Sequence, residues 1–427
     1  MATIRPFIAQ RFSEKAGDLG CLVAPPYDLI LPKMWEELAQ ASEYNTVRLT
    51  LPEKEPEDRS KFVRYARSAS RLAEWRREGI LKADDEPALY RYRQTFFHPL
   101  AGDRQTRTSI ICLLKLEPYE TGGVLPHEET FPKYKEDRLR LLEATMSHLE
   151  CILGLYRDRN HRVREAIEGA PFEIVAQLET ADGIEHELAR CTNGEALERI
   201  VEALAPERVW IADGHHRYET ALKFLEESKH AEGAGPEGFI LMALCGMHDP
   251  GLALLPTHRI VTDFSLTEPQ VHTRLQTYFN TRRTANEMLP SEVRDLALPN
   301  NRIFGIALPG RTGFIATMQE PREALRMVEE DASELYKMLD VTILHYVILQ
   351  KVFGIEGLEQ IEYTRDAGEA IRRVSGNGRT AAVITNPPRV QEMRQLSEGG
   401  EKMPQKSTYY YPKLLSGLVF WSLTDFR

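Results

Sequence analysis

Five consecutive positions, Asp213, Gly214, His215, His216 and Arg217, bring a carboxylate, a glycine, two imidazoles and a guanidinium together. Glycine lets a backbone turn sharply and come close to a ligand. A helix beginning behind it would add free N–H groups and the positive end of its dipole, and His and Arg add further donors. This order of residues suits an anion, with phosphate the natural candidate. The plainer alternative is a polar turn in which Asp213 is an N-cap, yet a cap needs no His-His-Arg behind it.

Two other stretches carry reactive groups on segments stiffened by proline. Residues 124–132 present His127, Glu128 and Glu129 between Pro126 and Pro132. Residues 403–412 present Lys406, Ser407 and Thr408, followed by three tyrosines, between Pro404 and Pro412. If these converge on the Asp213 turn, the set holds a carboxylate base, a metal-capable Asp, several phosphate donors and a lysine. Phosphoryl transfer needs such parts: positioning, neutralised phosphoryl oxygens and a base at the attacking hydroxyl. A shared pocket lined by Glu128, Asp213 and Lys406 is therefore the expectation. Asp28, which leaves the rigid turn Pro25-Pro26-Tyr27, and the pair His258–Arg259 are further candidates for substrate contact, as is His127. A His/Asp/Glu metallohydrolase fits less well, because adjacent His215 and His216 do not readily face one metal and no His-x-x-x-His pair supports them.

The surrounding pattern must position these groups. Residues 209–212 read as a short buried strand and 218–225 as a helix, so the turn joins strand to helix. Residues 59–79 keep a helical period, 88–97 and 106–116 read as a hairpin, and 137–155 carry one apolar helical stripe. Residues 193–204 read as a helix leading into the central strand, and 335–352 as a strong helix in which His345 is a packed side chain. Gly233 to Gly238 matches G-x-G-x-x-G, but it follows a helix, contains Pro236 and runs into a strand, the reverse of a dinucleotide fingerprint.

Length and composition bound the rest. A chain of 427 residues with 28% charged and 42% hydrophobic residues is an ordinary globular protein of two or three domains. Its net charge of −10 does not invite nucleic acid or an anionic membrane, so a phosphate site must be local. No apolar run is long enough to span a bilayer, and five scattered cysteines form no Cys-x-x-Cys. A cytoplasmic protein without nucleic-acid or membrane partners is expected, its oligomeric state unspecified.

Taken together, Ala24-Pro25-Pro26-Tyr27-Asp28, Leu125-Pro126-His127-Glu128, the stretch from Asp213 to Ala221, and Met403 to Thr408 resemble a bacterial family, domain of unknown function 1015. The order Pro-His-Glu, Asp-Gly-His-His-Arg, Pro-x-Lys-Ser-Thr is similar to that of the free serine kinases of the ParB/sulfiredoxin-like superfamily. That resemblance implies a mixed α/β fold: a ParB/sulfiredoxin-like catalytic core over 116–265, an added N-terminal region over 1–115, and a C-terminal α/β domain over 266–427 carrying the Lys-Ser-Thr motif. It implies a kinase that makes O-phosphoserine from L-serine with ATP or ADP and Mg²⁺. Glu128 would be the base, and Asp213 would hold Mg²⁺ or orient substrate. Gly214, His215, His216 and Arg217 would cradle nucleotide phosphate, and Lys406, Ser407 and Thr408 the transferring group. The alternative is a nucleotide-binding regulatory or partner-binding module without catalysis, in which such a turn works as a conformational switch; a pure binder needs no base at Glu128.

Overall fold

Strand Val209–Asp213 is apolar for four residues, and those four are buried before Asp213 emerges half-buried at its end. In a computed structural model describing residues 2–130, 132–228, 235–318, 320–357, 359–376, 378–404 and 406–425, this strand lies in a mixed sheet. Among the described residues the sheet has nine strands. Their order is Val124–Leu125, Val209–Asp213, Ile152–Tyr156, Phe239–Gly246, Arg104–Lys115, Leu89–Phe97, Glu185–Cys191 and Glu173–Glu179, with Ile4–Arg5 also pairing Arg104–Lys115. Val209–Asp213 runs parallel to Val124–Leu125 and antiparallel to Ile152–Tyr156, with a register shift between Ile211 and Asp213. Such irregularities re-aim a side chain at a strand end, and here the side chain is that of Asp213.

The helix that follows, His215–Glu227, buries His215, Tyr218, Ala221 and Leu225 at the spacing of one helical face. Helix Gly194–Leu204 is capped by Asn193, whose side chain accepts from the Ala196 N–H. Ile200, Leu204, Val209, Ile211, Tyr218, Ile240 and Met242 belong to one apolar cluster, which fastens both helices to the sheet.

Two compact units divide the chain: residues 1–126, 130–253 and 412–427 form one, residues 127–129 and 254–411 the other. This differs from the expected segments 1–115, 116–265 and 266–427. Strand Arg104–Lys115 pairs with Leu89–Phe97 on one side and Phe239–Gly246 on the other, so the sheet is continuous across residue 115. The second unit holds, among its described residues, a six-stranded antiparallel sheet in the order Asn280–Ala285, Thr312–Met318, Arg302–Ala307, Ala381–Ile384, His258–Val261 and Ile361–Thr364. Its helix Glu268–Gln276 opens on a capping box of Thr267 and Gln270.

Two expected helices are corrected. The stripe over 137–155 is not one helix: the helix is Pro132–Thr145, Met146 takes φ 46°, and Ile152–Tyr156 is a fully buried strand. A strand buried on both faces reads as continuously apolar, so its period cannot be told from that of a buried helix. The region 335–352 divides into Glu334–Lys337, Asp340–Ile343 and a wide π-helical stretch Leu344–Val352, because Leu339 is extended between the first two. His345 is half-buried, and desolvation drives its pKa down to about 4. Of the Gly233–Gly238 pattern, Gly233 and Ala234 lie outside the described residues, and Pro236–Gly238 runs into strand Phe239–Gly246. Among the described residues no helix is long and apolar enough to cross a membrane.

Candidate active site

Gly214, not Asp213, occupies the N-cap of helix His215–Glu227, with φ 95° and ψ 28°. That conformation costs an L-residue roughly 1–2 kcal/mol. Space is short as well: a Cβ here would lie 3.0–3.1 Å from the Arg217 guanidinium and Ile152 Cγ1. Freed from capping, Asp213 faces cations. Lys413 Nζ donates to its Oδ1 at 2.8 Å, and Arg217 Nη2 lies 3.6 Å from Oδ2. Burial pushes the Asp213 carboxyl up, but Lys413, Arg217 and His215 outweigh it and hold the pKa at about 2.

Arg217 is set by its own network. Its Nη1 donates to the Cys151 carbonyl at 2.8 Å, while its buried Nε has no hydrogen-bond partner. Burial disfavours its charge, yet Glu150, Asp213, Tyr27 and Asp28 together raise its pKa. Glu150 is buried, accepting from the Tyr27 N–H at 3.2 Å and the Ser416 hydroxyl at 3.0 Å. Arg138, also buried, stands 4.0 Å over the Tyr27 ring and donates to the Thr50 carbonyl at 2.7 Å. Asp28 is exposed in the short turn Tyr27–Leu29 and acts on Arg217 through its charge. Of the expected residues, then, the first unit gathers Asp28, Asp213, Gly214, His215 and Arg217. To these it adds Arg138, Glu150 and Lys413, which the sequence did not single out, and Tyr27, which the sequence marked only as part of a rigid turn. His216 is half-buried beside them in the chain.

The second unit gathers the remainder. Glu128 pairs with Met403 in a parallel bridge, Met403 N–H donates to the His127 carbonyl at 2.7 Å, and Lys406 N–H donates to Glu128 Oε1 at 2.9 Å. His127 is fully buried, its Nε2 2.8 Å from Thr408 Oγ1. Glu128 is half-buried, and its neighbour Glu129 is exposed. The trio expected to hold phosphate is therefore already engaged in the fold. Ser407 Oγ donates to the Pro404 carbonyl, Thr408 meets His127, and Lys406 contributes its N–H, at φ 58°, while its side chain is exposed. Arg259 is buried, donates to the Thr257 carbonyl, and leaves Nε and Nη2 without partners. Burial lowers its pKa to about 10, against the opposing pull of Tyr363 and Glu128. His258 accepts from the Thr385 N–H at 3.2 Å, and burial and Arg259 lower its pKa to about 4. His258 is thus a neutral structural acceptor.

A divalent cation does not fit Asp213 as it stands, because both carboxylate oxygens face cations. Among the described residues no cluster of three His, Cys, Asp or Glu could hold a metal.

Fold and site define a mixed α/β protein with a glycine-based, cation-rich turn between strand and helix. The chain belongs to the DUF1015 family, proteins of unknown function, whose model matches residues 4–342. Solved structures similar to it include a conserved hypothetical protein from Pyrococcus furiosus, at 14% identity over 71% of this chain and 94% of that one, with a TM-score of 0.34. A free serine kinase in complex with AMP is similar at 13% identity over 68% and 84%, with a TM-score of 0.33. SbnI with a C-terminal truncation, from Staphylococcus aureus, is similar at 13% identity over 72% and 86%, with a TM-score of 0.35. No curated protein matches the chain.

Proposed function

We propose that the chain is a small-molecule phosphotransferase that binds ATP or ADP at the Gly214–Arg217 turn and phosphorylates an alcohol, with free L-serine the favoured acceptor. The observation that carries this reading is the turn: Gly214 in the left-handed region, a helix N-terminus behind it, and Arg217 held charged with one buried donor unmade. Orphan donors at such a terminus favour negative charge. The motif order shared with the free serine kinases supplies the acceptor and the role of Glu128. In the proposed step the serine hydroxyl oxygen attacks the terminal phosphorus, the bond to the leaving nucleotide oxygen breaks, and the hydroxyl proton passes to Glu128. The Lys406 N–H on Oε1 would orient that carboxylate. Arg217 would neutralise phosphoryl oxygens, and the exposed Lys406 ammonium would add a second positive charge. Mg²⁺ has no place at Asp213 in this reading; such an ion is commonly carried by the substrate phosphates themselves.

The test is to incubate the purified protein with ATP or ADP, Mg²⁺ and each amino acid, and to seek a phosphorylated product by mass spectrometry. O-Phosphoserine is expected. Saturable nucleotide binding with no phosphorylated amino acid would leave a regulatory nucleotide binder in its place.

A further inference from the structure

The first unit contains a cavity of about 710 Å³ that the proposed reaction does not use. Pockets of roughly 300–1,000 Å³ are the usual size for small ligands. None of its lining residues belongs to the Asp213 turn or to the Glu128 segment. Part of its lining is sheet: Arg93 and Thr95 stand in register with Thr108 and Thr106 on the neighbouring strand. Two further strands add Gln177 to Glu179 and Glu185 to Glu187, and the rest comes from Tyr156 to Glu168 and from the loop Gly246 to Pro250. That loop is pressed hard onto the sheet, since a Cβ at Gly251 would lie 2.3 Å from the backbone of Thr106 and Arg107.

The charges around the cavity are mostly spoken for. Glu187 pairs with Arg91 and Arg93, Glu185 with Arg104, and Glu168 with Arg164. Asp158 accepts the Val163 and Arg164 N–H groups, both at 3.0 Å. Apart from Glu179, which is exposed, two groups of opposite sign stand apart. Asp249 accepts only from the Thr108 N–H at 3.2 Å and the Gly251 N–H at 2.9 Å, and among the described residues it has no ion pair. Burial raises its pKa, so its charge is under-compensated where it stands. The half-buried Arg157 side chain has neither ion pair nor hydrogen bond among the described residues.

We infer that this cavity binds a small zwitterion, a free amino acid or short peptide, with its carboxylate on Arg157 and its ammonium on Asp249. A nucleotide is a poorer occupant, because its several negative charges would meet Asp249, Glu187 and Glu179. The inference does not rest on the phosphotransferase reading, since it concerns different residues and is read by binding alone.

Isothermal titration calorimetry on the full chain tests it, with L-serine, alanyl-alanine, and the N-acetylated and C-amidated forms of each as probes. Saturable binding of at least one free zwitterion is expected, weakened roughly tenfold or more by either blocking group. Arg157→Gln should weaken the zwitterion by a similar factor and leave the amidated form unaffected; Asp249→Asn should do the same for the acetylated form. ADP should not compete, which separates this site from the turn. Asp249 holds two N–H groups, so its variant is checked by thermal melting; if it unfolds, Arg157→Gln alone decides, because that side chain has no partner to lose. Absence of saturable binding at millimolar probe, or binding untouched by Arg157→Gln, would overturn the assignment.

Discussion

The Asp213 turn and the Glu128 segment are built by opposite means. In the turn, side-chain charges hold one another: Lys413 on Asp213, Arg217 between Asp213 and the Cys151 carbonyl, and Glu150 among Tyr27, Ser416 and Arg138. In the segment, main-chain N–H groups do most of the holding, Met403 N–H on the His127 carbonyl and Lys406 N–H on the Glu128 carboxylate, with His127 to Thr408 a side-chain contact beside them. Removing a charge from the turn leaves its partners buried and uncompensated, which is costly. Removing the Glu128 charge leaves the main-chain bridge in place. Stability and chemistry should therefore separate between the two regions, and substitutions can break that contrast.

Glu128→Gln should give the largest effect on turnover. A positioned general base contributes about a hundred- to ten-thousand-fold in rate, so most O-phosphoserine formation should vanish while nucleotide affinity and melting temperature stay close to wild type. Glu129, adjacent and exposed, is the control: Glu129→Gln should do far less. Equal losses from both would make the segment a folding element rather than a chemical one.

Asp213→Asn should act chiefly on stability. Breaking a buried pair costs roughly 3–5 kcal/mol, and with 22% of the Asp213 side chain exposed the lower end of that range applies. The loss depends on pH with a defined sign. The Asp213 pKa lies at about 2, below its ordinary 3.8, so its contribution is full above about pH 4 and is lost as the pH falls towards 2. Urea unfolding of wild type and variant should differ most at neutral pH and converge through that window. A gap that persists at pH 2 would mean that charge pairing is not what the variant removes.

What could be read from the sequence follows the same division. The turn was legible because five unusual residues are contiguous and lie between an apolar strand and an amphipathic helix. Glu128 was legible because prolines isolate it. The residues that hold the turn were not: Arg138, Glu150 and Lys413 lie far from it in sequence and carry no local pattern, and Tyr27 stood out only as part of the Pro25-Pro26 turn. Asp213 looked like a cap or a metal ligand, since a lone carboxylate gives no sign of the two cations that meet it. The strand Ile152–Tyr156 was lost inside an apparent helix for the reason already given, and with it the Cys151 carbonyl that receives Arg217. The cavity beside Tyr156 joins residues from six separate stretches, and no single one of them is distinctive.

Gly214→Ala tests the turn more gently. Positive φ costs roughly 1–2 kcal/mol for an L-residue, and the added methyl meets the Arg217 guanidinium and Ile152. Melting should fall modestly, while nucleotide affinity, read by calorimetry, should fall by a larger factor than stability alone explains, because Arg217 must shift. Affinity unchanged in Gly214→Ala, and again in Arg217→Ala, would remove the turn from nucleotide binding.

The smallest effect separates two lysines, one in each region. Lys413 is 12% exposed and paired with Asp213, whereas Lys406 is exposed and offers its N–H to Glu128. Lys406→Ala keeps that N–H, so the Glu128 carboxylate stays oriented and kcat should barely move. On the proposed role of Lys406 what is lost is one exposed charge acting on phosphate, worth about 0.2–1 kcal/mol. The KM for nucleotide should therefore rise by up to about fivefold, and by less as salt screens the interaction. Lys413→Met should do the reverse, lowering the melting temperature by leaving Asp213 short of a partner. A collapse of kcat in Lys406→Ala would place its ammonium on the transferring phosphoryl group. Indifference of both KM and kcat would leave Lys406 only its main-chain N–H, its role confined to orienting the Glu128 carboxylate.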